Sequence, residues 1–215
     1  MEALILYFVL FFPGTFAAPV TGGNLEVISF SIIRELSRIL VYILPALALI
    51  WYLILKKKSL AAYGPPPLKV EKRDLIIFAA VLPGIISIAL FVNLLISLFS
   101  QNLGLPPPPA LEGPVNTLGW IVLVIGCLGT GYLEETYFRY YLLTKLEKLI
   151  PQTVLRVIFA TALFAICHMY KGPWAVLNAA LAGLFLSAVF IRFRSLHGIA
   201  WAHAAYNFFV FVTMG

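Results

Sequence analysis

The sequence predicts an all-α fold, a polytopic bundle in which about seven helices, and between roughly six and eight, cross a membrane. Of its 215 residues, 62% are hydrophobic and only 11% are charged. Soluble domains are about half apolar and about one quarter charged. Because a protein core could not bury this surplus of apolar side chains, we expect a multi-pass integral membrane protein, resident in the plasma membrane if the source is prokaryotic.

Seven apolar segments approach the length of about 20 residues that a membrane-spanning helix needs. The first is the weakest because it is short and Pro13 and Gly14 interrupt it. We expect it to be a retained helix rather than a cleaved signal peptide, since no positive charge precedes its apolar run. The segments are 3–20, 36–55, 75–100, 117–144, 152–170, 174–192 and 196–214.

The connections between these segments differ in composition. Leu25, Ile28, Ile32 and Leu36 recur at helical spacing within residues 21–38, a pattern typical of a short helix in the membrane interface. The connection 56–74 is basic and rich in proline, which indicates a solvated turn, and the connection 101–114 contains four consecutive prolines. We divide the chain into N-terminal membrane helices, residues 1–116, with the possible interfacial helix, and a four-helix membrane core, residues 117–215.

The positive net charge does not indicate nucleic-acid binding. The formal charge is +6, but basic residues stand at the ends of apolar runs, as Lys56 does after Leu55. That placement is the one expected of topology signals flanking membrane helices. No basic face with interleaved aromatic residues is present, so we expect lipid and no nucleic acid among the partners.

The fourth segment carries ionisable residues that a membrane helix tolerates only for a reason. A charge near the bilayer centre costs about 3 kcal/mol on insertion scales. Glu135 and Arg139 are four residues apart, so they share a helix face and can pair. Glu134 has no such partner on its own helix. An unpaired buried carboxylate suits a general base or acid.

The fifth and seventh segments add two histidines and an asparagine, namely His168, His203 and Asn207. His203 and Asn207 are four residues apart and face the same way on a helix. An imidazole and an amide on one face can hold an oxyanion, or the imidazole can bind a metal. The third histidine, His197, stands next to a basic turn, and we interpret it as a solvated loop residue. Phe164, one turn before His168, is by itself typical of core packing.

Helix geometry predicts which of these side chains lie at one depth. Glu134 and His168 are each 17 residues from Pro151, where the turn between the fourth and fifth segments falls. In an antiparallel hairpin they should therefore be level, about 25 Å from the turn. Straight helices would leave His203 and His168 more than about 10 Å apart in depth. Tilt, or a start of the seventh helix near Gly198, must close that gap.

Taken together, these residues resemble a known family. Glu134-Glu135-x-x-x-Arg139, Phe164-x-x-x-His168 and His203-x-x-x-Asn207 occur in this order. They resemble the motifs of the CPBP group of intramembrane proteases, which includes the type II CAAX prenyl endopeptidases and bacteriocin-processing and immunity proteins. The resemblance covers about residues 117–210. Each motif alone is short, but the ordered set in apolar helices is fairly specific.

The resemblance implies an intramembrane endopeptidase mechanism. Glu134, assisted by His168, would activate a water molecule, and His203 and Asn207 would stabilise the oxyanion. Glu135, held by Arg139, would order the site. We favour a reaction without a cofactor, although zinc held by Glu134, His168 and His203 is the alternative, because three ligands and a water form the usual catalytic zinc site. The expected partner is a membrane-bound or lipidated protein or peptide, such as a prenylated CAAX tail, a bacteriocin leader or a sorting signal.

Two other functions fit the same composition. One is a non-enzymatic immunity or maturation protein that binds a peptide in the membrane. The other is a small transporter that uses the polar residues as an ion relay. A transporter would spread polar residues along a path and often contain a repeat, whereas here they gather at one level and no repeat is evident. Hydrolysis of a peptide bond near the end of the substrate is therefore the favoured function.

Overall fold

A computed structural model of the chain describes residues 2–15, 28–56, 69–105 and 110–213. The described residues form a helical bundle whose only strands are two short ones, so the prediction of an all-α membrane bundle is confirmed. The first part of the region proposed as an interfacial helix, the centre of the basic turn and the proline run 106–109 lie outside these residues.

Every one of the seven apolar segments contains a helix. The first, α1, runs from Glu2–Leu6 through π-helical turns at Tyr7–Phe11 to Phe12–Thr15. The others are α2 (Ile32–Lys56), α3 (Lys72–Leu103), α4 (Thr117–Leu146), α5 (Thr153–Ile166), α6 (Pro173–Phe193) and α7 (Leu196–Thr213). Wider π turns also occur in α2 at Arg38–Ile43 and in α4 at Thr136–Leu142.

Four helices of the described chain are long and apolar enough to cross a membrane, namely α2, α3, α4 and α6. Helices α1 and α5 are apolar but shorter. Helix α7 has 18 residues and includes His197, His203 and Asn207, which lower its hydropathy. The bundle is therefore a mixture of long apolar helices and of shorter or more polar ones packed between them.

The expected interfacial helix does not form as a separate element in the described part of residues 21–38. Ile28–Ser29 forms strand β1, which pairs in parallel with strand β2, Leu111–Glu112. Ser31 then caps the start of α2, and the helix continues without a break into the apolar segment. The apolar residues keep their helical spacing across residues 32–38. The pattern therefore identified a helix, but it did not show that this helix continues into the next apolar segment.

Helix α1 is packed into the bundle rather than lying apart from it. Tyr7 is 1% exposed, and its hydroxyl donates a hydrogen bond to the carbonyl of Leu163 in α5 at 3.0 Å. The hydroxyl of Tyr137 in α4 donates to the carbonyl of Ala3 at 2.6 Å. These bonds attach α1 to α5 and to the region of α4 that follows the two glutamates.

A polar contact fixes where α7 begins. The hydroxyl of Ser195 donates to Asp74 of α3 at 2.5 Å and accepts from the backbone N–H of Gly198 at 3.1 Å. Ser195 thus caps the first turn of α7, since a serine oxygen satisfies an otherwise free N–H there. Because α7 begins at Leu196 and not at Gly198, His203 lies about two helical turns from its start.

Small residues bring α7 close to α4. A methyl group on Gly131 would lie 2.6 Å from the carbonyl oxygen of Ala200 and 3.2 Å from the side chain of Ala204. Small side chains allow helix backbones in membranes to approach closely. This approach allows a side chain of α7 to reach the carboxylates of α4.

Candidate active site

The centre of the site is the predicted ion pair on α4. Arg139 Nη1 donates to Glu135 Oε1 at 3.1 Å, and the two side chains are 1% and 0% exposed. The pairing at a separation of four residues is confirmed. Burial of two charges is costly unless each is compensated, so this pair must be held by its neighbours.

His203 of α7 joins this pair. Its Nδ1 lies 2.7 Å from Glu135 Oε1, and because a carboxylate only accepts, Nδ1 donates the hydrogen bond. Glu135 thus bonds both Arg139 and His203. This bond fixes the orientation of the imidazole and directs its other nitrogen, Nε2, away from Glu135. From the sequence, Arg139 was the only partner predicted for Glu135.

Glu134 faces that second nitrogen. Its Oε2 lies 3.6 Å from His203 Nε2, a distance too long for a hydrogen bond. The oxygen is buried and has no hydrogen-bond partner among the described residues. The Glu134 side chain as a whole is 18% exposed, so water can reach part of it. An unused carboxylate oxygen beside an imidazole is chemically available for proton transfer.

Phe164 organises the second histidine. Its ring centroid lies 4.8 Å from that of His168 and 6.2 Å from that of His203. The guanidinium of Arg139 lies 4.3 Å from the same ring, which partly compensates its buried charge. Phe164 is 3% exposed and so does pack in the core, but it also contacts three of the predicted site residues. The Phe-x-x-x-His spacing was the signal for this role.

His168 is held by its own helix. Its Nδ1 lies 2.9 Å from the carbonyl of Phe164, which fixes Nδ1 as the donor. In the neutral ring Nε2 is then free to accept a proton or a hydrogen bond. His168 also interacts electrostatically with Glu134 and His203. This proximity accords with the predicted common depth of Glu134 and His168.

The expected depth gap between the two histidines is absent, because both rings approach Phe164. Counting residues along straight, parallel helices overestimated their separation. Helix α7 begins at Leu196 and not near Gly198, so a late start of this helix does not account for their proximity. Asn207, one turn after His203, is half-buried, and its side-chain amide forms no hydrogen bond within the described chain. The structure therefore brings Glu134, Glu135, Arg139, His168 and His203 together but does not bond Asn207 to them.

The interpretation of His197 as a solvated loop residue is wrong. It lies in the first turn of α7 and is half-buried. Its Nδ1 is 2.7 Å from the hydroxyl of Tyr132, and its ring stacks on Trp201 with centroids 5.8 Å apart. Basic neighbours in the sequence had suggested a turn, but α7 begins one residue before this histidine.

A second polar cluster was missed by the sequence. Arg38 of α2 donates through Nε and Nη2 to Glu35 at 2.9 and 2.6 Å and through Nη1 to the hydroxyl of Thr130 at 2.8 Å. Thr130 lies one turn before Glu134 on the same face of α4. Arg38 interacts electrostatically with Glu134. Since the partners belong to different helices, only the Glu35–Arg38 spacing could have signalled the cluster.

The proposed zinc ligands do not form a metal site as they are placed. Within the described ranges, no group of three or more histidine, cysteine, aspartate or glutamate side chains is gathered closely enough to hold a metal ion. The donor types of Glu134, His168 and His203 suit zinc, but their arrangement does not meet its ligand geometry. We therefore derive no chemical step through a metal.

Fold and site together define a polytopic membrane protein with a buried carboxylate, imidazole and guanidinium centre. Residues 116–209 match the family described as Type II CAAX prenyl endopeptidase Rce1-like. This match supports the resemblance of the chain to the CPBP family of intramembrane proteases. Comparison with curated proteins and with solved structures gives no significant match.

Proposed function

We propose that the protein hydrolyses a peptide bond near the end of a membrane-associated or lipidated substrate, with Glu134 as the residue that activates water. The observation that carries this proposal is the placement of His203. Its imidazole bonds Glu135 through Nδ1 at 2.7 Å and turns Nε2 towards the free oxygen of Glu134 at 3.6 Å. A carboxylate without a partner beside an oriented imidazole is the pattern expected of acid–base catalysis.

In the proposed reaction Glu134 takes a proton from water while the water oxygen attacks the carbonyl carbon of the substrate. His168 assists, since its Nδ1 is committed to the Phe164 carbonyl and its Nε2 is left to interact with the water. The carbonyl oxygen becomes an oxyanion. When the tetrahedral intermediate collapses, the C–N bond breaks and Glu134 returns its proton to the departing amine.

His203 and Asn207 are proposed to hold the oxyanion. In this role both ring nitrogens of His203 carry a proton, because Nδ1 donates to Glu135 while Nε2 donates to the oxyanion. Asn207 is half-buried one turn further along α7, and its amide makes no competing hydrogen bond in the described chain. Removal of one oxyanion donor typically lowers the rate by about a hundredfold or more.

A nearly isosteric change tests the role of Glu134. Purified protein in lipid vesicles would be incubated with prenylated and unprenylated peptides that end in a free carboxyl group, and products would be identified by mass spectrometry. Glu134→Gln should abolish cleavage, with a loss of about a hundredfold or more. The matched control is Glu112→Gln, an exposed glutamate in β2 that should leave cleavage unchanged.

Two results would contradict the proposal. Cleavage by the Glu134→Gln variant at the rate of the unsubstituted protein would exclude Glu134 as the base. Failure of the unsubstituted protein to cleave any peptide that it binds would favour the non-enzymatic, peptide-binding function. The zinc-dependent version is tested separately, because activity that survives exhaustive chelation requires a reaction without a metal ion.

A further inference from the structure

One cation beside the candidate site has no carboxylate partner among the residues that the structure describes. Arg139, Arg38 and Lys171 all interact electrostatically with Glu134. Arg139 is paired with Glu135, and Arg38 is paired with Glu35. In the described parts of the chain, Lys171 forms no ion pair with a carboxylate. Of the three cations, Lys171 is therefore the one that has no pairing acid within the described ranges.

The backbone places Lys171 over His168. Met169–Lys171 forms a single 3₁₀ turn after α5, and the N–H of Lys171 donates to the carbonyl of His168 at 3.0 Å. Side chains three residues apart are eclipsed in a 3₁₀ turn, so those of His168 and Lys171 leave it on the same side. The Lys171 side chain is exposed, and its ammonium lies 5.4 Å from the centroid of the Tyr170 ring.

Helix α6 begins directly after this turn and presents unused polar groups. The indole N–H of Trp174 has no hydrogen-bond partner in the described structure, although the residue is only 6% exposed. Asn178, one turn later on the same face, donates to the hydroxyl of Tyr206 at 3.1 Å, but its Oδ1 is buried without a partner. That face of α6 therefore meets α7 one residue before Asn207.

Buried polar groups without partners are rare in proteins and call for an explanation. Here a free donor and a free acceptor stand one helical turn apart, next to an uncompensated cation. A peptide main chain supplies both a carbonyl and an N–H, and a carboxylate is the group that pairs with an ammonium. The three residues thus have the chemistry of a subsite for an anionic peptide segment.

We propose that Lys171 binds a carboxylate of the substrate next to the scissile bond and so selects anionic peptides. Trp174 and Asn178 contact the adjoining main chain. The carboxylate has two sources, the free carboxyl terminus of the peptide or the side chain of an acidic residue. This inference rests on the proposed peptidase function, and it adds a specificity residue that does not take part in the bond-breaking step.

A different role for Lys171 would give a different kinetic result. If the ammonium only balanced the charge of Glu134, its removal would change the reactivity of that carboxylate for every substrate alike. If it binds the substrate, its removal would weaken the binding of anionic peptides and leave neutral ones unaffected. The ratio between two matched substrates therefore separates the two roles.

The experiment compares Lys171→Met with the unsubstituted protein in vesicles of zwitterionic lipid, which excludes an anionic headgroup as the ligand. One pair of peptides has the same sequence and ends in either a free carboxylate or an amide. A second pair ends in an amide and carries aspartate or asparagine at the residue after the scissile bond. The kcat and KM of each peptide are measured separately.

We expect the unsubstituted protein to prefer one carboxylate-bearing peptide over its neutral partner by about tenfold in kcat/KM. The pair that shows the preference identifies the source of the carboxylate. Lys171→Met should remove the preference by raising KM for the anionic peptide only, and Lys171→Arg should retain it. The matched control is Lys56→Met, since Lys56 is also an exposed lysine with its ammonium 5.4 Å from a tyrosine ring.

Three outcomes would overturn the lysine subsite while leaving the peptidase intact. The unsubstituted protein could cleave both members of each pair equally, Lys171→Met could slow both members equally, or the preference could survive in Lys171→Met. Absence of cleavage of all four peptides by the unsubstituted protein would instead refute the peptidase function, and the subsite with it. Thermal unfolding of each variant verifies that the fold is retained.

Discussion

Two glutamate–arginine pairs in this bundle have the same chemistry but different surroundings. In the outer pair, Arg38 contacts both carboxylate oxygens of Glu35, and the side chains are 39% and 14% exposed. In the inner pair, Arg139 donates to one oxygen of Glu135, and both side chains are almost fully buried. The outer pair is the more completely bonded of the two.

The inner pair leaves several polar atoms unused. Glu135 Oε2 and the Nε and Nη2 atoms of Arg139 are buried without hydrogen-bond partners in the described structure. The oxygen that is bonded is shared between Arg139 and His203. An ion pair that served stability alone would be expected to satisfy its own groups, as the outer pair does. The difference indicates that the inner pair is arranged around the imidazole rather than for its own stability.

Loss of the inner arginine should have the largest effect. Arg139→Met leaves the Glu135 carboxylate buried without its cation, so we expect the free energy of unfolding to fall by about 3–5 kcal/mol. Denaturant titration in detergent micelles would measure the change. The double variant Glu135→Gln with Arg139→Met should recover most of the loss, because it removes the uncompensated charge. A decrease in the free energy of unfolding of less than about 1 kcal/mol in Arg139→Met would contradict the prediction that loss of the inner arginine has the largest effect.

Adding a methyl group next to each ion pair should further distinguish the inner pair from the outer pair by its effect on stability and activity. On Gly131 it would meet the carbonyl oxygen of Ala200 at 2.6 Å, and on Gly126 it would overlap the Glu35 carboxylate. A helix backbone cannot give way as a flexible side chain can. Gly131→Ala should therefore cost about 1–3 kcal/mol and lower peptidase activity, since it moves α7 and His203 away from Glu135.

Gly126→Ala is the matched control for that change, because it displaces only the end of the half-exposed Glu35–Arg38 pair. It should cost less stability than Gly131→Ala and preserve more activity. Circular dichroism melting curves and peptide cleavage by the two variants would test this order. The reverse order would mean that the contact of α2 with α4, rather than that of α7 with α4, holds the site.

The smallest effect is expected for the outer arginine. Arg38→Met removes an ion pair whose arginine is 39% exposed, and ion pairs that water can screen contribute about 0–1 kcal/mol. The Arg38→Met variant should cleave anionic and neutral peptides with the same ratio of kcat/KM values as the unsubstituted protein. An unfolding free energy lowered as much as by Arg139→Met would remove the contrast between the pairs.

The sequence predicted the features that depend on spacing along one helix. The pairing of Glu135 with Arg139 follows from their separation of four residues, and the helical segments follow from uninterrupted apolar runs. Contacts between helices were not accessible in the same way. The bond of His203 to Glu135 depends on the close approach at Gly131, and the bond of Arg38 to Thr130 joins residues 92 positions apart.

Errors in the sequence interpretation arose where a local pattern had two structural outcomes. Ile32 and Leu36 fitted a separate interfacial helix, but the chain continues directly into α2. His197 stood among basic residues, yet the cap at Ser195 starts α7 before it. In both places the helix boundary depends on whether a capping hydrogen bond is present. The hydrophobic periodicity of a sequence carries no information about such bonds.

The wide turns of α4 at Thr136–Leu142 have a consequence for inherited variation. Such π turns accommodate one additional residue within an otherwise regular helix. Deletion of a single codon in this stretch would let an ordinary helix form with nearly the same length and hydropathy. Because the π turns take up the extra residue locally, the part of α4 before them would keep nearly the same orientation, and Glu134 and Glu135 would still face His203. A one-residue gap at this place in a homologue would therefore be compatible with both the membrane fold and the site.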